Sequence, residues 1–241
     1  MAPVMKPGSR GVWCQTADVN VVRTCAGLGF DWLVLDAQHG AVDRRSVIEL
    51  GRALTDTGTD FAVRIPELDF AWIGAALDAG AALVIVPQIH TAEQAAAAVD
   101  ACFYPPIGGR SWGPFSALWG GSTVPAEAAN VAVRCAVMIE SARALGNVEQ
   151  IATVPGVGLL FVGPFDLSMS LGLDIDQAIA DPDGPVRRVV DAGRRHHIDV
   201  AGFAGDRERA VALRGAGIDT LAVATDLGLL RIGGAAALAA D

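Results

Sequence analysis

The chain has 241 residues, 52% of them hydrophobic and only 19% charged, with a formal net charge of −9. That composition provides one large core and excludes long disorder, and the size suits a single α/β barrel. No block of five or more basic residues occurs; the densest cationic run, Arg187-Arg188 with Arg194-Arg195 and His196-His197, has helical spacing and reads as a solvated face, so no nucleic-acid partner is expected. No signal-peptide pattern and no apolar run of about 18 residues is present, so no membrane partner and a cytoplasmic location are expected. Cys14, Cys25, Cys102 and Cys135 form no C-x-x-C pair and are read as buried free thiols.

In chain order, short apolar runs at Gly11–Gln15, Trp32–Asp36, Phe61–Ile65, Leu83–Pro87, Arg134–Ile139, Gly158–Val162, Asp199–Phe203 and Thr220–Ala224 read as strands. Helical patterns lie between them at Asp18–Leu28, Arg44–Asp56, Phe70–Ala79, Ala92–Cys102, Ala142–Ala152, Pro185–His197 and Arg207–Gly215, and a last one begins near Asp226. Continuous rather than alternating apolar strands imply burial on both faces. Eight such strands with intervening helices predict one (β/α)8 TIM-barrel domain spanning residues 1–241. Glycines at Gly29, Gly80 and Gly217 close helices just before the next strand. The long connection from Phe103 to Val133, rich in Gly and Pro, follows the fourth strand; it is expected on the active-site face as a lid or substrate-contacting loop, with a purely structural excursion as the alternative.

In this architecture the residues just past the strand carboxyl ends build the site. Here they are polar: Asp36-Ala-Gln38-His39-Gly40 after strand two, Arg64 in strand three, Gln88 after strand four, Glu140 after strand five and Asp166 after strand six. Two unpaired carboxylates facing one mouth repel, so they hold a hard divalent cation or share a proton. Each residue also has a structural reading. His39 could be a packing histidine, Arg64 could neutralise a buried acid, Glu140 could cap a helix and Asp166 could hold a turn. His90, His196 and His197 lack such company and are read as structural or surface residues. Taken together, Glu140 and Asp166 are expected to bind one divalent ion per subunit, Mg²⁺, Mn²⁺ or Co²⁺. A 2-oxo acid would chelate that ion, with Lewis-acid stabilisation of the enolate formed at its C3. Arg64 is expected to donate to the same oxygen and His39 to move the proton. Lys6, the only lysine, lies in the N-terminal segment, which excludes a strand-borne Schiff-base lysine.

The stretches Gly29-Phe-Asp-Trp-Leu-Val-Leu-Asp-Ala-Gln-His-Gly40, Val63-Arg-Ile-Pro66, Pro105-Pro-Ile-Gly-Gly-Arg110, Met138-Ile-Glu-Ser141 and Gly163-Pro-Phe-Asp-Leu-Ser-Met-Ser-Leu-Gly172 resemble the HpcH/HpaI aldolases, the class II pyruvate aldolases, from about Gly11 to Asp226. The resemblance implies reversible aldol cleavage of 4-hydroxy-2-oxo acids to pyruvate, or a related 2-oxo acid, and an aldehyde. It puts Glu140 and Asp166 on the metal ligands, Arg64 on the enolate-stabilising arginine and His39 on the catalytic histidine. It puts Asp78 on an aspartate that pairs with that histidine across a subunit interface, and the backbone of Phe165 and Asp166 on the pyruvate carboxylate. It also implies a homo-oligomer, a hexameric trimer of dimers with an exchanged C-terminal helix. Two residues depart from the family's commonest pattern. Gln38 stands where a glutamate that helps hold metal-bound water is usual, and Met138 stands where glutamine is common. Phe165, Met138, Trp112 and Trp119 suggest an acceptor less polar than succinic semialdehyde. The alternatives are a decarboxylase of oxaloacetate-like acids, a CoA-ester lyase of the same superfamily, and a catalytically silent binding homologue.

Overall fold

Eight short strands, β1 (Arg10–Cys14), β2 (Trp32–Asp36), β3 (Asp60–Arg64), β4 (Leu83–Val86), β5 (Arg134–Ile139), β6 (Val157–Val162), β7 (Asp199–Phe203) and β8 (Thr220–Thr225), pair in parallel with their sequence neighbours. β8 pairs back onto β1 and closes the barrel. The computed structural model describes residues 4–114 and 123–239. Every predicted strand is present, with ends that match or differ by one residue.

The strands are apolar throughout because each is buried on two sides. One face fills the barrel, where Trp13, Trp32, Leu159, Phe161 and Met138 pack among Ala62, Ala136, Ala201 and Ala222, the alanines leaving room for the indoles. Val4 and Met5 belong to this interior cluster, and Arg134 donates to the Val4 carbonyl at 2.9 Å, which ties the N-terminal segment to the barrel. The other face, including Val12, Leu33, Leu35, Val63, Val84 and Val137, packs against the helices. Each fully buried side chain of this kind contributes about 1.5–3 kcal/mol.

The helices α1 (Val19–Gly27), α2 (Arg44–Leu54), α3 (Phe70–Asp78) and α4 (Ala92–Cys102) follow the first four strands. Their starts are set by Asp18, Asp43, Asp69 and Thr91, whose side chains accept the first free helical amides. The second half is more divided than the sequence pattern predicts. A helix α5 (Ala126–Ala132) lies inside the connection expected to be loop. The single helix expected over Ala142–Ala152 is two, α6 (Ala142–Gly146) and α7 (Val148–Ala152), broken at Asn147, whose side-chain amide donates to the His90 carbonyl. Two further helices follow β6, α8 (Pro164–Leu171) and α9 (Ile175–Ala180), before α10 (Pro185–His196), α11 (Arg207–Gly215) and α12 (Asp226–Leu238).

The described parts of the Phe103–Val133 connection, residues 103–114 and 123–133, are not where the sequence reading puts them; the rest lies outside the described residues. The connection joins the end of α4 to the start of β5, and in a parallel barrel that junction lies at the amino-terminal end, opposite the strand carboxyl ends. There Gly109 donates to the Asp100 carbonyl, and Asn130 exchanges hydrogen bonds with both backbone groups of Tyr104. Trp112 stacks on Tyr104 with ring centroids 5.2 Å apart, so it does not line the single-chain site; Trp119 lies outside the described residues. No helix among the described residues is long and apolar enough to cross a membrane.

Candidate active site

At the carboxyl ends of the strands a cavity of about 180 Å³ opens, lined by residues that include Trp13, Asp36, His39, Arg64, Met138 and Asp166. Its base is an ion pair. Asp36 and Arg64 are register partners on β2 and β3, so both side chains rise on the same side of adjacent strands. Arg64 donates from Nε to Asp36 Oδ1 at 2.9 Å and from Nη2 to Oδ2 at 2.5 Å. Trp13 Nε1 donates to Oδ2 at 3.0 Å, and the backbone amides of Gln38 and His39 donate to Oδ1 at 3.1 and 3.2 Å. Burial alone would raise the Asp36 carboxyl; the Arg64 hydrogen bonds and charge, Trp13 and the His39 amide outweigh it and hold the group below its ordinary value. The Arg64 guanidinium also lies over the Trp13 ring, 4.9 Å from its centroid. The cation is thus fixed on two sides, and Nη1 is the nitrogen not bound to Asp36.

Glu140 follows β5 and is 2% exposed. Gln88, at φ 55° in the left-handed region that non-glycine residues rarely adopt, turns its amide onto Glu140 Oε1 at 2.7 Å. Glu140 Oε2 points toward Gly163, where an added Cβ would sit 3.0 Å from that oxygen and 3.1 Å from Met138 Cε. Only glycine lets the β6–α8 turn pass this close. Burial is the main cause holding the Glu140 carboxyl above its ordinary value; the Gln88 amide opposes it, nearby Asp166 adds to it, and Arg64 opposes it more weakly.

Asp166 is not at a strand end as such: it sits in the first turn of α8, which begins with Pro164. No side chain caps this helix, so the amides of Phe165 and Asp166 have no capping partner beside the cavity. His39 lines the cavity and is exposed.

No cluster of three or more His, Cys, Asp or Glu side chains with metal-holding geometry occurs among the described residues. The donors present nevertheless fit a hard divalent ion. Glu140 and Asp166 are two carboxylates with no basic side chain bonded to either, and Gln38 Oε1 is buried without a hydrogen-bond partner. Hard cations accept such a partial set and complete it with water and ligand oxygens.

Asp78 lies at the other end of its own barrel, as the last residue of α3, where Arg110 Nη2 donates to its Oδ1 at 2.7 Å. Arg110 is buried and its guanidinium lies 4.4 Å from the Tyr104 ring centroid. Burial raises the Asp78 carboxyl, with Arg110 opposing. Asp78 and His39 therefore do not meet within one chain.

The structure places Arg64, His39, Glu140, Asp166 and Phe165 at the carboxyl end of the barrel strands, the end expected from the sequence and, for Phe165, from the family resemblance. Sequence reasoning missed the role of Asp36, whose place beside Arg64 in adjacent strands was the available signal, and it missed Trp13, Gln15 and Phe203, which also line the cavity. Those three carry no local motif.

Comparison with known proteins agrees with this geometry. The sequence model of the HpcH/HpaI aldolase/citrate lyase family matches residues 9–232. A 4-hydroxy-2-oxovalerate aldolase of Novosphingobium aromaticivorans is 40% identical over 169 residues, a match covering 69% of this chain and 64% of that protein's length. A hydroxypyruvate/pyruvate aldolase of Paraburkholderia phytofirmans is 34% identical over 90% of this chain and 86% of its own. The crystal structure of an HpcH/HpaI aldolase/citrate lyase family protein from Burkholderia cenocepacia J2315 superposes with a TM-score of 0.87 at 34% identity, covering 97% of this chain and 94% of that one. A barrel with this motif order, matched over nearly its whole length, belongs to the HpcH/HpaI aldolase/citrate lyase family.

Proposed function

We propose that this chain is a metal-dependent aldolase that reversibly cleaves 4-hydroxy-2-oxo acids to pyruvate, or a related 2-oxo acid, and an aldehyde. The observation that carries the reading is the buried Arg64 guanidinium, fixed by Asp36 in the cavity that Asp166 lines, with Glu140 close enough to both for their charges to act on its carboxyl. Glu140 and Asp166 would hold one divalent ion, Mg²⁺, Mn²⁺ or Co²⁺, which when bound acts as a Lewis acid on the 2-oxo acid. The uncapped amides of Phe165 and Asp166 bind the donor carboxylate, as helix starts bind anions. Arg64 donates to the 2-oxo oxygen and favours the charge that develops there as C3 loses its proton or its bond to C4. His39, with one face in the cavity, transfers the proton between C3 or the 4-hydroxyl and solvent. Gln38 is a neutral acceptor for a water beside the ion.

Asp78 is proposed to orient His39 of a neighbouring subunit, in a hexamer built as a trimer of dimers. Leu230, Ile232 and Leu238, exposed on α12, support an exchanged C-terminal helix. The test is incubation with pyruvate in deuterated water and, separately, with a 4-hydroxy-2-oxo acid. The expected result is metal-dependent exchange at C3, and pyruvate and aldehyde in equal amounts. Pyruvate released from an oxaloacetate-like acid, with no aldehyde produced from the hydroxy acid, would replace this reading with a decarboxylase.

A further inference from the structure

Three aromatic side chains, Trp13, Phe165 and Phe203, line the cavity beside the Asp36–Arg64 pair. Trp13 on β1 meets Phe203 on β7 edge-on, with ring centroids 5.2 Å apart, and Phe203 meets Phe165 at 6.2 Å. Phe165 is 41% exposed, so its ring forms part of the rim. Behind it lies Arg209 of α11, whose guanidinium carbon is 4.7 Å from the Phe165 centroid. Arg209 is itself held: Nη1 donates to Asp206 Oδ2 at 2.8 Å and to the Ala204 carbonyl at 3.4 Å. Its Nε is buried without a hydrogen-bond partner; Asp206, the Ala204 carbonyl and the Phe165 ring face hold the guanidinium in place.

We propose that Phe165, positioned by Arg209, is the specificity-determining wall of the site, and that the aldehyde it admits carries an apolar or aromatic substituent rather than a terminal carboxylate or phosphate. This rests on the aldolase reading above. At about 180 Å³ the cavity is well below the roughly 300–1,000 Å³ of sites that enclose a whole ligand. The donor acid fills it, and the aldehyde substituent lies across the exposed Phe165 ring. An apolar substituent gains contact there. An anionic one would lose its hydration against rings that offer it no free donor, Trp13 Nε1 being taken by Asp36. Of the two arginines close to the wall, Arg64 serves Asp36 and the donor acid, and Arg209 is paired with Asp206.

The experiment compares kcat/KM for aldol addition of pyruvate to a straight-chain aldehyde and to the carboxylate-terminated aldehyde of equal length, with C3 hydrogen exchange of pyruvate measured on the same samples. Wild type is expected to prefer the unsubstituted aldehyde by at least about tenfold. Arg209→Ala is expected to exchange pyruvate hydrogen at the wild-type rate, which also reports an intact fold, while its aldehyde preference shrinks severalfold. Arg209→Lys, which keeps the charge but loses the planar face, should fall between them. Phe165→Ala should abolish the preference. A wild-type preference for the carboxylate-terminated aldehyde, or an Arg209→Ala variant that selectively loses that substrate, would overturn the inference and make Arg209 an anion-binding group. An unchanged preference in Arg209→Ala would also overturn it. Exchange with no acceptor preference overturns this inference alone; absence of exchange in wild type overturns the aldolase reading beneath it.

Discussion

Replacing Asp36 by asparagine keeps the shape of the site and removes the charge that faces Arg64. Asp36 is fully buried and the Arg64 side chain is 11% exposed, so water does not take over the lost interaction. Breaking a buried pair from one side typically costs about 3–5 kcal/mol, because the other charge is left uncompensated. Asparagine keeps one oxygen for the Gln38 and His39 amides on the Oδ1 side but turns its NH2 toward Trp13 Nε1 and Arg64 Nη2 on the other, which places Asp36→Asn within that range, about 4 kcal/mol. Arg64→Met is expected to cost a similar amount. The double variant buries no lone charge and should recover at least about 2 kcal/mol relative to the sum of the singles. Urea unfolding at pH 7, with all four proteins at one concentration, measures this coupling. A coupling below about 0.5 kcal/mol would refute the claim that the pair anchors the site. The pH dependence has a definite sign. Because Asp36 is held below its ordinary value, its contribution is fully present above the usual carboxylate range and is lost as pH falls through the lower, folded-state value. Asp36→Asn should flatten that acid limb of the stability curve.

Glu140 behaves oppositely. Its carboxyl is raised, chiefly by burial, so the stability linked to its protonated form is present at low pH and is lost as pH rises through the folded-state value. Metal-free Glu140→Gln should therefore melt higher than metal-free wild type at neutral pH and gain nothing from added Mg²⁺ or Mn²⁺; a lower melting temperature would contradict the assignment of an unpaired buried acid. His39→Ala is expected to slow C3 exchange by about 10²–10⁴-fold, the usual worth of a general acid–base group. Asp78→Asn should give a milder version of that defect, and light scattering on the same series should find active protein only as oligomer; a fully active monomer rules out the cross-subunit pair. Gln38→Glu should shift the pH–rate profile and the ranking of divalent metals, and superimposable profiles would make Gln38 a spectator.

The barrel was legible because its strands are buried on both faces, which leaves uninterrupted runs such as Trp32–Asp36 and Leu83–Val86 that no amphipathic helix produces. The site was legible where a polar residue interrupts such a run at its end, as at Arg64 and Glu140. No helix is predicted after Gly163-Pro164, although proline is at home in the first helical position, and α8 begins there. The described parts of the Phe103–Val133 connection lie at the end opposite the one expected, because its composition outweighed its place after a helix. Chain direction alone puts every helix-to-strand link opposite the active-site face. The aromatic wall was not legible: Trp13, Phe165, Phe203 and Arg209 come from β1, α8, β7 and α11, and only closure of the barrel brings them together.

The most direct test of the account is C3 hydrogen exchange of pyruvate in deuterated water, without any aldehyde, for wild type and Arg64→Ala, each after chelation and after divalent metal is restored. The account predicts exchange in wild type that disappears on chelation and returns with metal, and a loss of at least about a hundredfold in Arg64→Ala, the usual cost of removing one fixed donor at a developing oxyanion. Exchange that survives complete removal of metal, or an Arg64→Ala rate close to wild type, would contradict it.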